Sequence, residues 1–195
     1  MDSLNQQSAL DRLGEMRDYG GASVTPGLTD EIILDFLAER DDLTLAIDRG
    51  YHTFLSLKKS HADFLALEES EQILRSQRGL TNFYRPDGVN PYVAVGAAGP
   101  WIVTLKGAVI YDCGGYGMLG FGHAPAAVLG AMNGPHVMAN VMTPSINQLD
   151  FTRRLQQEIG HTRADGFPFA TFICMNSGSE AMTVASRIAD INALK

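Results

Sequence analysis

The stretch "FICMNSGSEAMTVASRIAD", residues 172–190, changes character at Asn176. Residues 169–175 hold one Thr and no charge, a run that predicts a short strand covered on both faces. Ala181, Val184, Ala185, Ile188 and Ile191 then recur at three- and four-residue steps. That spacing predicts one apolar helical face. Between the two lies Ser177-Gly178-Ser179. The first turn of a helix leaves N–H groups unpaired and carries partial positive charge. A glycine there lets an anion approach the backbone, so the turn suits a phosphate. Simple capping is the plainer reading, since Ser177-x-x-Glu180 has the form of a capping box. No Gly-Lys-Ser/Thr follows, which excludes a Walker loop. Gly115-x-Gly117-x-x-Gly120 has dinucleotide-motif spacing, but it follows a hairpin and leads into more loop, the wrong setting for that fingerprint.

Around this stretch the chain runs to 195 residues, with 45% hydrophobic residues and a formal charge of -7. The length admits one or two domains with a sizeable core. Composition and charge predict an acidic cytoplasmic protein that does not bind nucleic acid. Cys113 and Cys174 lack metal-ligand spacing and read as reduced thiols, Cys174 as a buried small hydrophobe. The N-terminus has neither the basic start nor the apolar core of a signal peptide. The charge-free residues 88–105 contain Pro91, Gly96, Gly99 and Pro100, which excludes a membrane helix there.

Charge divides the chain near residue 80. Residues 1–80 carry 15 acidic and 8 basic side chains, whereas residues 81–195 carry 7 of each. The second part also holds 14 of the 20 glycines, and no Asp, Glu, Lys or Arg occurs from 113 to 149. Such a stretch reads as backbone packed in an interior, an interface or a site. We therefore expect an acidic helical extension over 1–80, a hairpin and Gly-rich segment over 81–143, and the opening of an α/β layered domain over 144–195.

The first part predicts helices. Thr29 caps one through Ile32, Ile33, Phe36 and Leu37, with Asp30 and Glu31 at its positive end. Another spans 63–76, and Gly50 and Gly79 are expected stops. His52 and His61 read as surface or boundary residues. From Tyr92 the pattern becomes extended, and 101–105 and 108–111 predict a hairpin turning at Lys106-Gly107. A short apolar helix is expected over 125–132. The next opens at Thr143-Pro144, with Thr as N-cap and Pro at the first helical position. Leu149, Phe151, Leu155 and Ile159 form its buried side, and Gly160 ends it. Helix, strand and helix from 144 onward open an α/β layered domain.

Three passages, in this order, carry a resemblance. "GAVIYDCGGYGMLGFGHAP" (107–125), "TPSINQLDFTRRLQQEI" (143–159) and "FICMNSGSEAMTVASRIA" (172–189) resemble the N-terminal portion of class III pyridoxal-phosphate aminotransferases, over about residues 84–190. The first is similar to the family's hairpin, glycine-containing loop and Gly-His-x-His-Pro element. The second is similar to the helix that opens the large domain. The third is similar to the Asn-Ser-Gly-Thr/Ser-Glu-Ala turn that binds the cofactor phosphate. The resemblance implies a fold type I PLP-dependent transferase and pyridoxal 5'-phosphate as cofactor. Ser177, Gly178 and Ser179 would be the cofactor-binding residues. It also implies an amine or amino-acid donor, a 2-oxo acid acceptor and a homodimer in the full-length form, with Tyr84 and Tyr116 on the substrate side. The family's element stands here as Gly122-His123-Ala124-Pro125, with one histidine missing or the loop different by a residue, so His123 reads as loop packing.

The family's covalent lysine and the acidic partner of the pyridine nitrogen lie well downstream of the phosphate turn. The lysines here are Lys58, Lys59, Lys106 and Lys195, and none has the family's setting. No catalytic residue is assigned. The chain reads as an N-terminal part that is inactive by itself. Two other classes remain open: another fold type I PLP enzyme (an aminomutase, racemase or decarboxylase), and a non-catalytic protein whose helices in 1–80 bind a partner.

Overall fold

The computed structural model describes residues 3–79, 81, 92–113, 120–137, 142–169 and 171–194. The chain divides into a first unit, Met1–Pro135, and a second, His136–Lys195.

In the first unit, helices α1 (Ser3–Arg17), α2 (Asp30–Glu39), α3 (Asp41–Ser60), α4 (Ala62–Leu65) and α5 (Glu69–Gln77) precede three strands. These are β1 (Ala94–Ala98), β2 (Trp101–Thr104) and β3 (Val109–Tyr111), and the short helix α6 (Ala126–Met132) follows them. The strands form one antiparallel sheet in the order β1-β2-β3, with Ala98 opposite Trp101 and Ile102 opposite Ile110. Helices and sheet share a single core: Leu13, Met16, Ile33, Leu37, Leu43, Ile47, Phe54 and Leu65 pack with Trp101, Val103, Leu105 and Val109. The acidic helices of 1–80 and the hairpin thus bury one another.

Local chemistry explains most boundaries. Thr29 accepts from the Ile32 amide at the start of α2, as its sequence predicts. The long α3 has Asp41 and Asp42 in its first turn and Lys58 and Lys59 in its last, each favourable to the helix dipole. The expected stop at Gly50 is corrected: Gly50 lies buried inside α3. A Cβ there would sit 2.9 Å from Val103 Cγ1. This glycine marks close passage of helix over sheet rather than a helix end.

The single helix expected over 63–76 is also corrected, for it breaks into α4 and α5. The chain at 21–22 runs alongside the break, with the Gly21 amide donating to Ala66 O (3.0 Å) and the Glu69 amide to Ala22 O (3.0 Å). Gln72 Nε2 donates to Phe64 O and Leu65 O, both at 3.1 Å, satisfying carbonyls that a continuous helix would have paired. Gly79 (φ +92) lies just past the end of α5, as expected of a C-terminal glycine. The hairpin turns where expected, with Gly107 at φ +69.

The second unit contains α7 (Ile146–Gly160) and α8 (Gly178–Ala193). The N-cap of α7 is Ser145, not Thr143, because Ser145 and Gln148 form a complete capping box. The expected buried side of α7 is corrected too. Leu149, Phe151 and Ile159 are exposed and only Leu155 is half-buried. Residues 171–175 are extended but pair with no strand among the described residues, so the expected covered strand is not formed. Cys174 is exposed rather than buried. No described residue of this unit is fully buried. Among the described residues of the whole chain, no helix is long and apolar enough to cross a membrane.

Candidate functional site

Side chains alternate along the extended segment of the second unit. Thr171, Ile173 and Met175 face α8 and line, with Ala181, Val184, Ala185 and Ile188, a cavity of about 290 Å³. Phe172, on the other face, packs its ring 5.2 Å from that of Phe167. The predicted amphipathic face of α8 is therefore the one turned to this segment. Only Ile191 of that set falls outside the cavity, at the exposed end of the helix.

The chain turns at Asn176–Ser177 and enters α8 at Gly178. Ser177 is the N-cap, with φ -144 and ψ 156. Its Oγ accepts from the Glu180 amide at 3.2 Å, and its hydroxyl donates to Glu180 Oε2 at 3.2 Å. Glu180 therefore bonds the cap's side chain, not its backbone amide, and half of the predicted capping box is made. The first backbone bond of the helix runs from the Ala181 amide to Ser177 O, 3.1 Å. This leaves the amides of Gly178 and Ser179 without an acceptor among the described residues, as geometry requires of a first turn. A Cβ on Gly178 would meet nothing within 4 Å, so the space beside it is open. Two free amides and the Ser179 hydroxyl thus line an open helix start. Such a set can donate to a phosphate oxygen, and the Ser177 cap does not compete for the same donors.

Tyr84, Tyr116 and Lys195 fall outside the described residues, as do Gly115 and Gly117. His123 belongs to the first unit: its amide donates to Gly99 O at 2.7 Å, and its Nε2 lies 3.1 Å from Asp112 Oδ2. These bonds pin the loop to the sheet edge, in keeping with a packing role. His52 and His61 are exposed.

Lysine placement bears directly on chemistry. Lys58 donates to Glu15 Oε1 at 2.8 Å, and Lys59 follows it in the last turn of α3. Lys106 is 2% exposed and donates to Tyr19 O and Leu65 O, both at 3.2 Å. Burial pushes its pKa below 10.5, against the pull of Glu68 and Glu69. It neutralises carbonyls at the ends of two helical segments, a structural task. All three belong to the first unit, and none shares a unit with Ser177–Ser179.

Two polar clusters escaped the sequence reading. Glu69, 1% exposed, gathers the loop before α2, accepting from the amides of Val24 (2.6 Å) and Thr25 (2.8 Å) and from the hydroxyls of Ser23 (3.2 Å) and Thr25 (2.7 Å). Asp42 accepts from Arg40 (2.7 Å) and from Trp101 Nε1 (3.0 Å), and these bonds, Arg40 first, hold its carboxyl below the usual range. Both clusters join segments distant in sequence, for which residue spacing carries no signal. Comparison with known protein families, curated proteins and solved structures finds no match for the chain.

Proposed function

We propose that this chain carries the N-terminal elements of a class III aminotransferase of fold type I. In this reading the start of α8 is the phosphate end of its pyridoxal 5'-phosphate site. One observation carries the proposal. The Ser177-Gly178-Ser179 turn, quoted above for its likeness to the family's phosphate turn, stands at a helix start with two free amides and open space beside Gly178. Gly178 and Ser179 would hold the phosphate through their amides and the Ser179 hydroxyl, while Ser177 fixes the turn by capping. Bound pyridoxal phosphate supplies an aldehyde for an amine and a ring that takes up electrons. The whole enzyme would move an amino group from an amine or amino acid to a 2-oxo acid, as a homodimer.

Of the described residues, those at the start of α8 supply the phosphate end, and no described lysine stands with them in this unit. A helix N-terminus stabilises an anion by about 0.3–2 kcal/mol, whereas micromolar retention corresponds to about 8 kcal/mol. Lys58, Lys59 and Lys106 stand in the first unit, and Lys195, which belongs to the unit that holds the turn, lies outside the described residues. The reading therefore predicts weak cofactor binding and no amino transfer by this chain. Incubation with pyridoxal phosphate, borohydride reduction and peptide mapping test it, together with an amino-transfer assay. The expected result is scattered substoichiometric labelling. A single lysine labelled stoichiometrically, with measurable amino transfer, would overturn the reading of the chain as catalytically incomplete.

A further inference from the structure

A cavity of about 350 Å³ lies in the first unit between the end of α1, the loop before α2 and the hairpin turn. Its volume is near the lower end of the ~300–1,000 Å³ typical of small-molecule sites. Two cations line it, Arg17 and Lys106, against one anion, Asp30. Lys106 is 2% exposed, and an ammonium has three N–H groups. Two of them go to Tyr19 O and Leu65 O, and the third has no acceptor among the described residues. Arg17 donates through Nε to Gly107 O (3.1 Å) and through Nη1 to Asp30 Oδ1 (2.7 Å). Its Nη2 has no acceptor among the described residues. The neighbouring carboxylates are already engaged, Asp30 by Arg17 and Glu69 by two amides and two hydroxyls. What the cavity holds in excess is cationic donors.

We propose that this cavity binds a short-chain aliphatic carboxylate, with its oxygens on Lys106 and Arg17 and its chain against Leu28 and Ala108. Burial strips solvent from the Lys106 charge, and the pull of Glu68 and Glu69 does not make up the loss. A carboxylate supplies the missing counter-charge through hydrogen bonds between ionised partners, about twice as strong as neutral ones. The apolar wall selects a carboxylate over a phosphate. Leu28 and Ala108 accept a few methylenes, whereas further phosphate oxygens placed against them would be buried without donors. The walls are held in place by the fold itself. The Leu28 amide donates to Val109 O at 2.9 Å, and Glu69 gathers residues 23–25. A ligand therefore need not order the loop in order to bind. The site lies wholly in the first unit, apart from the helix start at Gly178, so the inference stands without the proposed cofactor.

Titration of the full chain with butyrate, followed by methyl NMR of Leu28 and Ala108, tests the proposal. Saturable shifts of both residues' methyl signals are expected. Butyramide has the same chain without the charge, and inorganic phosphate has charge without the chain. Each should bind at least about tenfold more weakly than butyrate, the scale of one hydrogen bond to a charged group. Arg17→Gln should weaken butyrate about tenfold on the same ground, and Lys106→Met should abolish the shifts. Fluorescence of Trp101, the only tryptophan, reports whether the first unit stays folded in each variant. Where Lys106→Met unfolds the unit, Arg17→Gln decides, because the Arg17 side chain is 31% exposed and its loss opens no core. Absence of saturable shifts, butyramide or phosphate binding as tightly as butyrate, or full affinity in a folded Arg17→Gln chain would overturn the proposal.

Discussion

Gly96 of β1 lies directly beneath Gly50 of α3, so close that a Cβ on Gly96 would stand 2.3 Å from the Gly50 amide nitrogen. The obstacle is backbone, which cannot rotate aside. Gly96→Ala should therefore force helix and sheet apart and destabilise the first unit by about 1–3 kcal/mol or more. Gly14→Ala is the counter-test, since its Cβ would meet nothing within 4 Å in helix α1. It should stabilise by about 0.5–1 kcal/mol. Urea unfolding followed by Trp101 fluorescence measures both, and a neutral Gly96→Ala would contradict the packing described.

Glu69 should be the most sensitive acidic residue of the first unit. Glu69→Gln replaces a carboxylate that serves two amides and two hydroxyls with a group that accepts through one oxygen. Hydrogen bonds to charged groups are worth about 1.5–3 kcal/mol each, so a loss on the order of 2 kcal/mol is expected. Amide exchange at Val24 and Thr25 should speed up before the rest of the unit is affected. Unchanged protection at those two amides would contradict the assignment.

Lys106 makes stability depend on alkaline pH in a defined direction. Its folded pKa lies below 10.5 because burial disfavours the charge. Between the folded and unfolded values the unfolded chain binds more protons, so stability rises with pH in that window. Below the folded value the full desolvation penalty is present and constant. The difference in urea midpoint between the parent chain and Lys106→Met, followed from neutral pH to 10.5, should therefore move in the parent's favour. A constant difference would mean that Lys106 is not desolvated in the fold.

Ser177→Ala removes the side-chain acceptor of the Glu180 amide. Loss of such a cap costs about 1 kcal/mol, and α8 has no buried residue to offset it. Far-UV circular dichroism should show reduced helicity, while the Trp101 signal of the first unit stays unchanged. A parallel loss in that signal would show that the two units unfold together.

The sequence was most legible where structure is local. The α2 cap at Thr29, the Lys106-Gly107 turn, the short helix after Pro125 and the Ser177 cap follow from a few neighbouring residues. Contacts between distant segments were not legible. Gly50 looked like a helix stop because its reason for being glycine lies 53 residues away at Val103. The break between α4 and α5 depends on the chain at Gly21 and Ala22. The charge-free run 169–175 promised burial, but apolar side chains show only what a segment would cover, not that a covering layer is present. At the candidate site, spacing located the helix start, while the side-chain bond between Ser177 and Glu180 appears only in three dimensions.

The phosphate role of Ser177, Gly178 and Ser179 is tested most directly by amide NMR of the isotope-labelled chain titrated with pyridoxal phosphate, with inorganic phosphate in parallel. The proposed function predicts that the Gly178 and Ser179 amides, which have no acceptor among the described residues, shift first with either ligand. Affinity should be far weaker than micromolar, and the Glu180 amide, held by Ser177, should move less. Gly178 and Ser179 amides that stay unmoved while others respond would contradict the account.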